Sequence, residues 1–284
     1  MKIAVTSASG KLGSTIIKNL VTNINKDSIV GIARTPEKAK PLGVEIRKGD
    51  YNSREQFNLA LKGVDVVLLI SGMDAPDKRI QQHRNVIDAA KQNGVKKIVY
   101  TSVVGNKNNN KFSQIVKSNR QTEKDIKMSG LEWSIGRNGL YIEPDLEYID
   151  TYIKEQGIVN CANDGKTSYT CREELAFAYW KLLTDDKHNG KTYNLVGEPI
   201  TQSQLADSIN NVYGTKLKFK SVSVEKYIEE RKVALGDFLG TIIGGIYESV
   251  RNGDFNVISD FDKIVGRPHK SIIQIITDFK NNIV

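Results

Sequence analysis

The chain has 284 residues, 39% hydrophobic and 26% charged, a balance ordinary for a globular fold of one large or two fused units. No apolar run approaches the ~20 residues that cross a bilayer, and two cysteines, Cys161 and Cys171, are too few for a disulfide framework. The formal net charge of +8 comes from bases interleaved with acids, as in 226–232 (KYIEERK), which argues against a nucleic-acid partner and for a solvated surface with a site for an anionic ligand.

Met1–Thr6 enters a strand directly, without the basic and apolar regions of a signal peptide, so a cytoplasmic protein is expected. Strands are predicted at Ile3–Thr6, Ser28–Ala33, Val44–Arg47, Val64–Ile70, Lys97–Thr101 and Trp133–Arg137. Helices are predicted to begin near Lys11, Pro36, Ser53, Asp77 and Ser113. Runs such as 66–70 (VVLLI) are apolar on both faces, as strands covered by helices on each side must be. This alternation predicts an α/β fold with a doubly wound parallel sheet over residues 1–140, and a smaller α+β lobe over 141–284 packed against it.

In that second part a helix is expected around Asp145–Gln156, then Gly157–Val159, a polar stretch over Ala162–Tyr169, a helix at Glu173–Thr184 and a strand at Thr192–Val196. Thr201-Gln-Ser-Gln204 opens a further helix with a capping box, and Tyr227–Val284 reads as mostly helical.

The strongest motif is Thr6-Ser-Ala-Ser-Gly-Lys-Leu-Gly13, between the first strand and the first helix. Such a turn aims backbone N–H groups and a helix N-terminus at a pyrophosphate. Gly10 allows close backbone approach and Gly13 close packing of helix on strand, while Ser7 stands where the first glycine is usual. An NAD enzyme carries an acid at the end of the second strand to hold the ribose 2′-OH; here Ala33 stands there, followed by Arg34 and, one turn on, Lys38. The missing acid and the two bases point to NADPH, with Arg34 pairing the 2′-phosphate.

These residues carry a family resemblance. The chain resembles the atypical short-chain dehydrogenases of the NmrA-like type, above all the NAD(P)H:quinone oxidoreductases of that group. The matching segments are Thr6–Gly13, 31–36 (GIARTP), 49–51 (GDY), 68–71 (LLIS), 82–87 (QHRNVI), 100–102 (YTS), 122–124 (TEK), 137–139 (RNG) with Tyr141, 164–166 (DGK) and 264–268 (IVGRP). The resemblance implies that the diphosphate lies along Ser7, Ala8, Ser9, Gly10, Lys11 and Leu12. It places Ser71, Gly72 and Met73 beneath the adenosine half, and Gly139, Leu140 and Tyr141 beside the nicotinamide and the quinone. It also implies a small quinone-like molecule as substrate, no metal, and a monomer or homodimer.

Most short-chain dehydrogenases carry Tyr-x-x-x-Lys on the helix after the fifth strand, and those places fall here on Ile115 and Asn119. Both share an inward stripe with 122 and 126, yet isoleucine donates no proton. Quinone reduction fits that gap, because a quinone takes hydride to give a comparatively acidic hydroquinone anion. Ser102, Asn119 and Tyr141 are the candidates for hydrogen bonding the acceptor oxygen. A non-catalytic NADP(H) sensor that binds a protein partner is the alternative, since it would lack the same pair.

Other residues stay open. His83 lies on the buried stripe of its helix and reads as a packed core histidine rather than a proton shuttle. Asp50 could bond the adenine amino group or cap the helix near Ser53. Asn138 could position the nicotinamide loop, and Arg172 could border the substrate or the surface. Cys171 reads as inert. Phe238–Tyr247 is a lid, an oligomer contact or plain core.

Overall fold

Helices cover the apolar runs of the first half on both faces, and that cover is what makes them strands. In this computed structural model, which describes residues 1–106 and 110–281, the first half contains β1 (Ile3–Val5), β2 (Ile29–Ala33), β3 (Glu45–Lys48), β4 (Val66–Ile70), β5 (Lys97–Val103) and β6 (Glu132–Asn138). They alternate with α1 (Lys11–Asn23), α2 (Arg54–Ala60), α3 (Pro76–Gln92) and α4 (Ser113–Lys127). Every residue of β2 and of β4 is buried.

The chain continues through β7 (Leu140–Tyr141), α5 (Glu143–Glu147), α6 (Ile149–Glu155), β8 (Gly157–Asn160), β9 (Lys166–Thr170), α7 (Arg172–Thr184) and β10 (Lys191–Leu195). It closes with β11 (Pro199–Thr201), α8 (Gln202–Tyr213), β12 (Lys218–Ser221), α9 (Val224–Leu235), α10 (Asp237–Arg251), α11 (Phe261–Val265) and α12 (Ile272–Lys280). The last predicted segment ran to Val284, and residues 282–284 lie outside the described residues.

The main sheet runs β10-β6-β5-β4-β1-β2-β3, and every pairing in it is parallel. The order reverses between β1 and β4, which opens a crevice at their carboxyl ends, the usual ligand site of such sheets. One face packs Ile16, Ile17 and Leu20 of α1 with Tyr179, Leu182 and Leu183 of α7. The other carries Phe57, Val86, Ile87 and Ile126 from α2, α3 and α4. Two small sheets, β11-β9-β7 and β12-β8, build the remainder with the last helices. Among the described residues no helix is long and apolar enough to cross a membrane.

Three expectations need correction. The helix near Pro36 is a pair of short 3-10 turns, Pro36–Lys38 and Lys40–Leu42, because Pro36, Pro41 and a left-handed Gly43 (φ 71°) prevent propagation. The helix over 145–156 is broken at Tyr148 into α5 and α6. The polar stretch 162–169 overlaps β9, whose Thr167, Ser168 and Thr170 are buried although none is apolar. Within residues 141–284, α7 packs on α1 and β10 extends the main sheet beside β6. The capping box at Thr201 and Gln204 is present.

Candidate functional site

The turn after β1 is built around a strained serine. Ser7 adopts φ 51°, the left-handed region that usually takes glycine, and its carbonyl accepts the Gly10 N–H at 2.9 Å. Gly13 is obligatory, since a Cβ there would run into that same carbonyl. Ala8 is buried and donates its N–H to Ile32 at 3.0 Å, whereas Ser9, Gly10 and Lys11 are exposed and Leu12 half-buried. Among the described residues no side chain caps the N-terminus of α1, and its first turn holds no acid. Its N–H groups and positive dipole end therefore face the crevice without a protein anion, which suits a diphosphate.

Two side chains the sequence reading did not place at the site shape the edge beside that turn. Tyr51, after β3, donates its hydroxyl to the Ile70 carbonyl at 2.6 Å and accepts from Ser7 at 3.2 Å, with Thr6 at 2.7 Å. Burial pushes this phenol up to about 12, so it stays protonated as a strut. His83 of α3 accepts the Gly72 N–H on Nε2 at 3.0 Å, with its Nδ1 at 2.8 Å from Thr122 Oγ1. Burial and the Arg79 charge lower it to about 3, so it is a neutral positioning group rather than a proton shuttle. Ser71 donates its N–H to Thr101 at 2.8 Å, and Met73 projects into solvent with 83% of its surface exposed.

Arg34 and Lys38 are exposed just past β2. Asp50 does not cap α2, because Ser53 does; its carboxylate accepts from the Asn52 backbone and amide at 2.9 and 3.0 Å.

The three candidate catalytic side chains sit in separate hydrogen-bond groups among the described residues. Asn119 accepts from Tyr100 at 2.7 Å and Ser71 at 3.2 Å and donates to the Ile115 carbonyl at 2.8 Å. Ser102 donates to Glu123 at 2.7 Å, so its proton is already committed. Glu123 also binds Arg137 through both oxygens, at 2.9 and 2.7 Å, and Arg120 at 2.9 Å. Burial works to raise this carboxyl, yet the Arg137 hydrogen bonds, the Arg120 charge and Ser102 hold it below its ordinary value. Neither arginine had been singled out; an arginine inside a strand and an acid beside the inward stripe of α4 were the available signals.

Tyr141 accepts from Asn138 at 3.0 Å, and Asn138 accepts from Tyr179 at 2.6 Å. Arg172 lies over the Tyr141 ring at 5.7 Å and pairs with Glu143 at 3.7 Å, so it belongs to this edge rather than the open surface. Gly139 admits no side chain, because β9 passes against it at Ser168. Leu140 is half-buried between two core clusters. Helix α5 then ties the two halves together: Glu147 pairs with Lys11 of the glycine turn at 2.7 Å. Cys171 is buried, and burial pushes its thiol up to about 12, so it is inert at neutral pH.

This crevice, turn and sheet order define a dinucleotide-binding Rossmann protein. A family model described as NAD(P)H-binding matches residues 7–186, and the chain belongs to that family. It is 30% identical to Quinone oxidoreductase 2 of Escherichia coli (strain K12) over 285 residues, 98% of this chain and 99% of that one. It is similar in structure to an NADPH-dependent quinone oxidoreductase from Escherichia coli complexed with NADPH (TM-score 0.90, 30% identity, 98% and 100% of the two chains). It is also similar to the triphenylmethane reductase of Citrobacter sp. complexed with NADP(H) (TM-score 0.91, 32% identity, 98% and 99%).

Proposed function

We propose that the protein is an oxidoreductase that binds NADPH in the β1–β4 crevice and transfers hydride directly to quinones or similar small electrophiles. The carrying observation is on α4. The place of the conventional catalytic tyrosine is an apolar Ile115, and that of its lysine is an uncharged, buried Asn119 whose oxygen already accepts from Tyr100 and Ser71. Such a site suits an acceptor that gains hydride without a strong acid on this helix. The names of the similar reductases support the same reading.

NADPH supplies the hydride; the chain supplies position. The bare N-terminus of α1 would hold the diphosphate and Arg34 the 2′-phosphate, with the half-buried Leu140–Tyr141 edge beside the nicotinamide that supplies the hydride. Loss of reduced-nicotinamide absorbance on adding menadione, faster with NADPH than with NADH, is the expected result. Arg34→Ala reduces that preference ~10-fold or more, as loss of a charge-assisted bond requires. Saturable NADPH binding with no turnover on any quinone overturns the enzyme in favour of a sensor.

A further inference from the structure

Of the two candidate hydroxyls, Ser102 and Tyr141, one has a proton to spare. The Ser102 proton goes to Glu123. Asn119 turns its oxygen toward Tyr100 and Ser71 and its amide toward the Ile115 carbonyl. The Tyr141 hydroxyl accepts the Asn138 amide N–H at 3.0 Å, and among the described residues its own O–H has no acceptor.

That polarity is imposed from inside the fold. Asn138 ends β6, is 4% exposed, and accepts the Val104 N–H on its backbone oxygen at 2.9 Å. Strand β6 is itself held between β5 and β10. Tyr179 of α7, fully buried, donates its hydroxyl to the Asn138 side-chain oxygen at 2.6 Å. The amide oxygen therefore faces Tyr179 and the amide N–H faces Tyr141. An amide N–H can only donate, so the Tyr141 oxygen accepts and its proton is turned away from Asn138. Tyr179, Asn138 and Tyr141 make a chain of donors, each polarising the next, that ends on an unspent O–H.

The chain ends at the crevice. Tyr141 follows β6 at its carboxyl end and packs on the core layer that includes Ala8 of the glycine turn and Ile70 at the end of β4. Just beyond it, α5 returns to the same turn through the Glu147–Lys11 pair. The Arg172 guanidinium, 5.7 Å from the centre of the Tyr141 ring, makes this edge favourable to negative charge. Burial pushes the phenol up to about 12, so it donates a hydrogen bond and keeps its proton.

We propose that Asn138 and Tyr179 are positioning residues that hold the Tyr141 proton outward, and that Tyr141 is the hydrogen-bond donor to the acceptor oxygen; this rests on the quinone-reductase reading above. As the hydride passes from NADPH to the quinone, the negative charge gathers on the quinone oxygen. The Tyr141 O–H bonds to that oxygen without breaking, and the proton that completes the hydroquinone comes from water. Its help grows with the basicity of that oxygen.

The test uses the whole protein, NADPH, and two acceptors: benzoquinone and its fully methylated analogue, whose hydroquinone is less acidic. Tyr141→Phe lowers kcat ~100-fold. Tyr179→Phe, which frees the Asn138 amide to turn, lowers it ~10-fold. Both losses are larger with the methylated quinone, and both variants keep wild-type NADPH affinity, read by nucleotide fluorescence, and a cooperative melt. A folded Tyr141→Phe with wild-type kcat, or a loss equal for the two quinones, overturns the proposal while leaving the reductase standing. A wild type that oxidises no NADPH with any quinone overturns both together. Should Tyr141→Phe not fold, Tyr179→Phe decides alone: wild-type kcat with both quinones overturns the assignment.

Discussion

Glu123 on α4 and Asp145 on α5 are two carboxyls buried to the same degree, 3% and 4% exposed. Their surroundings drive them apart. Glu123 receives two guanidinium groups and a serine hydroxyl and stays ionised below its ordinary range. Asp145 receives the uncharged phenol of Tyr152, and burial lifts it to about 6. Burial by itself therefore says little about charge; what matters is whether the hydrogen-bonding partners bring charge of their own. The Rossmann edge is electrostatically closed, while the second lobe keeps an acid poised to change state.

The comparison breaks most visibly at Glu123. Glu123→Ala leaves Arg120 and Arg137 crowded together in a half-buried site, and a loss of about 4 kcal/mol is expected in denaturant unfolding. Asp145→Asn should act in the opposite sense. With an ordinary value of 3.8 and a folded value of about 6, the ionised form costs the fold ~3 kcal/mol at neutral pH. The sign follows from a folded pKa above the unfolded one: the contribution is complete below 3.8 and is lost as pH rises through about 6. The asparagine variant should therefore gain stability over wild type at pH 7 but not at pH 4, measured by urea titration at each pH. The Glu123 contribution runs the other way, present above its unfolded value of 4.5 and lost on acidification.

The smallest expected effect lies in the glycine turn. Ser7→Ala keeps the left-handed strain and loses the bond to Tyr51, so about 1 kcal/mol of destabilisation is expected in thermal melts. Ser7→Gly loses the bond but relieves the strain, and should stay within about 0.5 kcal/mol of wild type.

Much of this was legible in the chain. The six strands of the first half announced themselves because runs buried on both faces must be apolar throughout, and the inward stripe at 115, 119, 122 and 126 is buried as its spacing required. The polar clusters were harder. Glu123 and Arg137 meet only because β6 lies beside β5, a pairing that no local pattern encodes. Strand β9 was missed because three of its four buried residues, Thr167, Ser168 and Thr170, are polar, and Tyr169 alone gives no apolar pattern. Asp145 did leave a trace: with Ile142, Leu146 and Ile149 it falls at helical spacing on an apolar stripe, and an acid in that place signals a buried group.

Tyr51 has one further consequence. A single hydroxyl ties the turn after β1, the segment after β3 and the end of β4, while His83 holds Gly72 from behind. In the proposed site, the surface for the adenosine half is thus ordered before any nucleotide arrives. Little conformational entropy remains to be lost there on binding, so the adenosine fragment alone should keep a large share of the affinity of the whole dinucleotide.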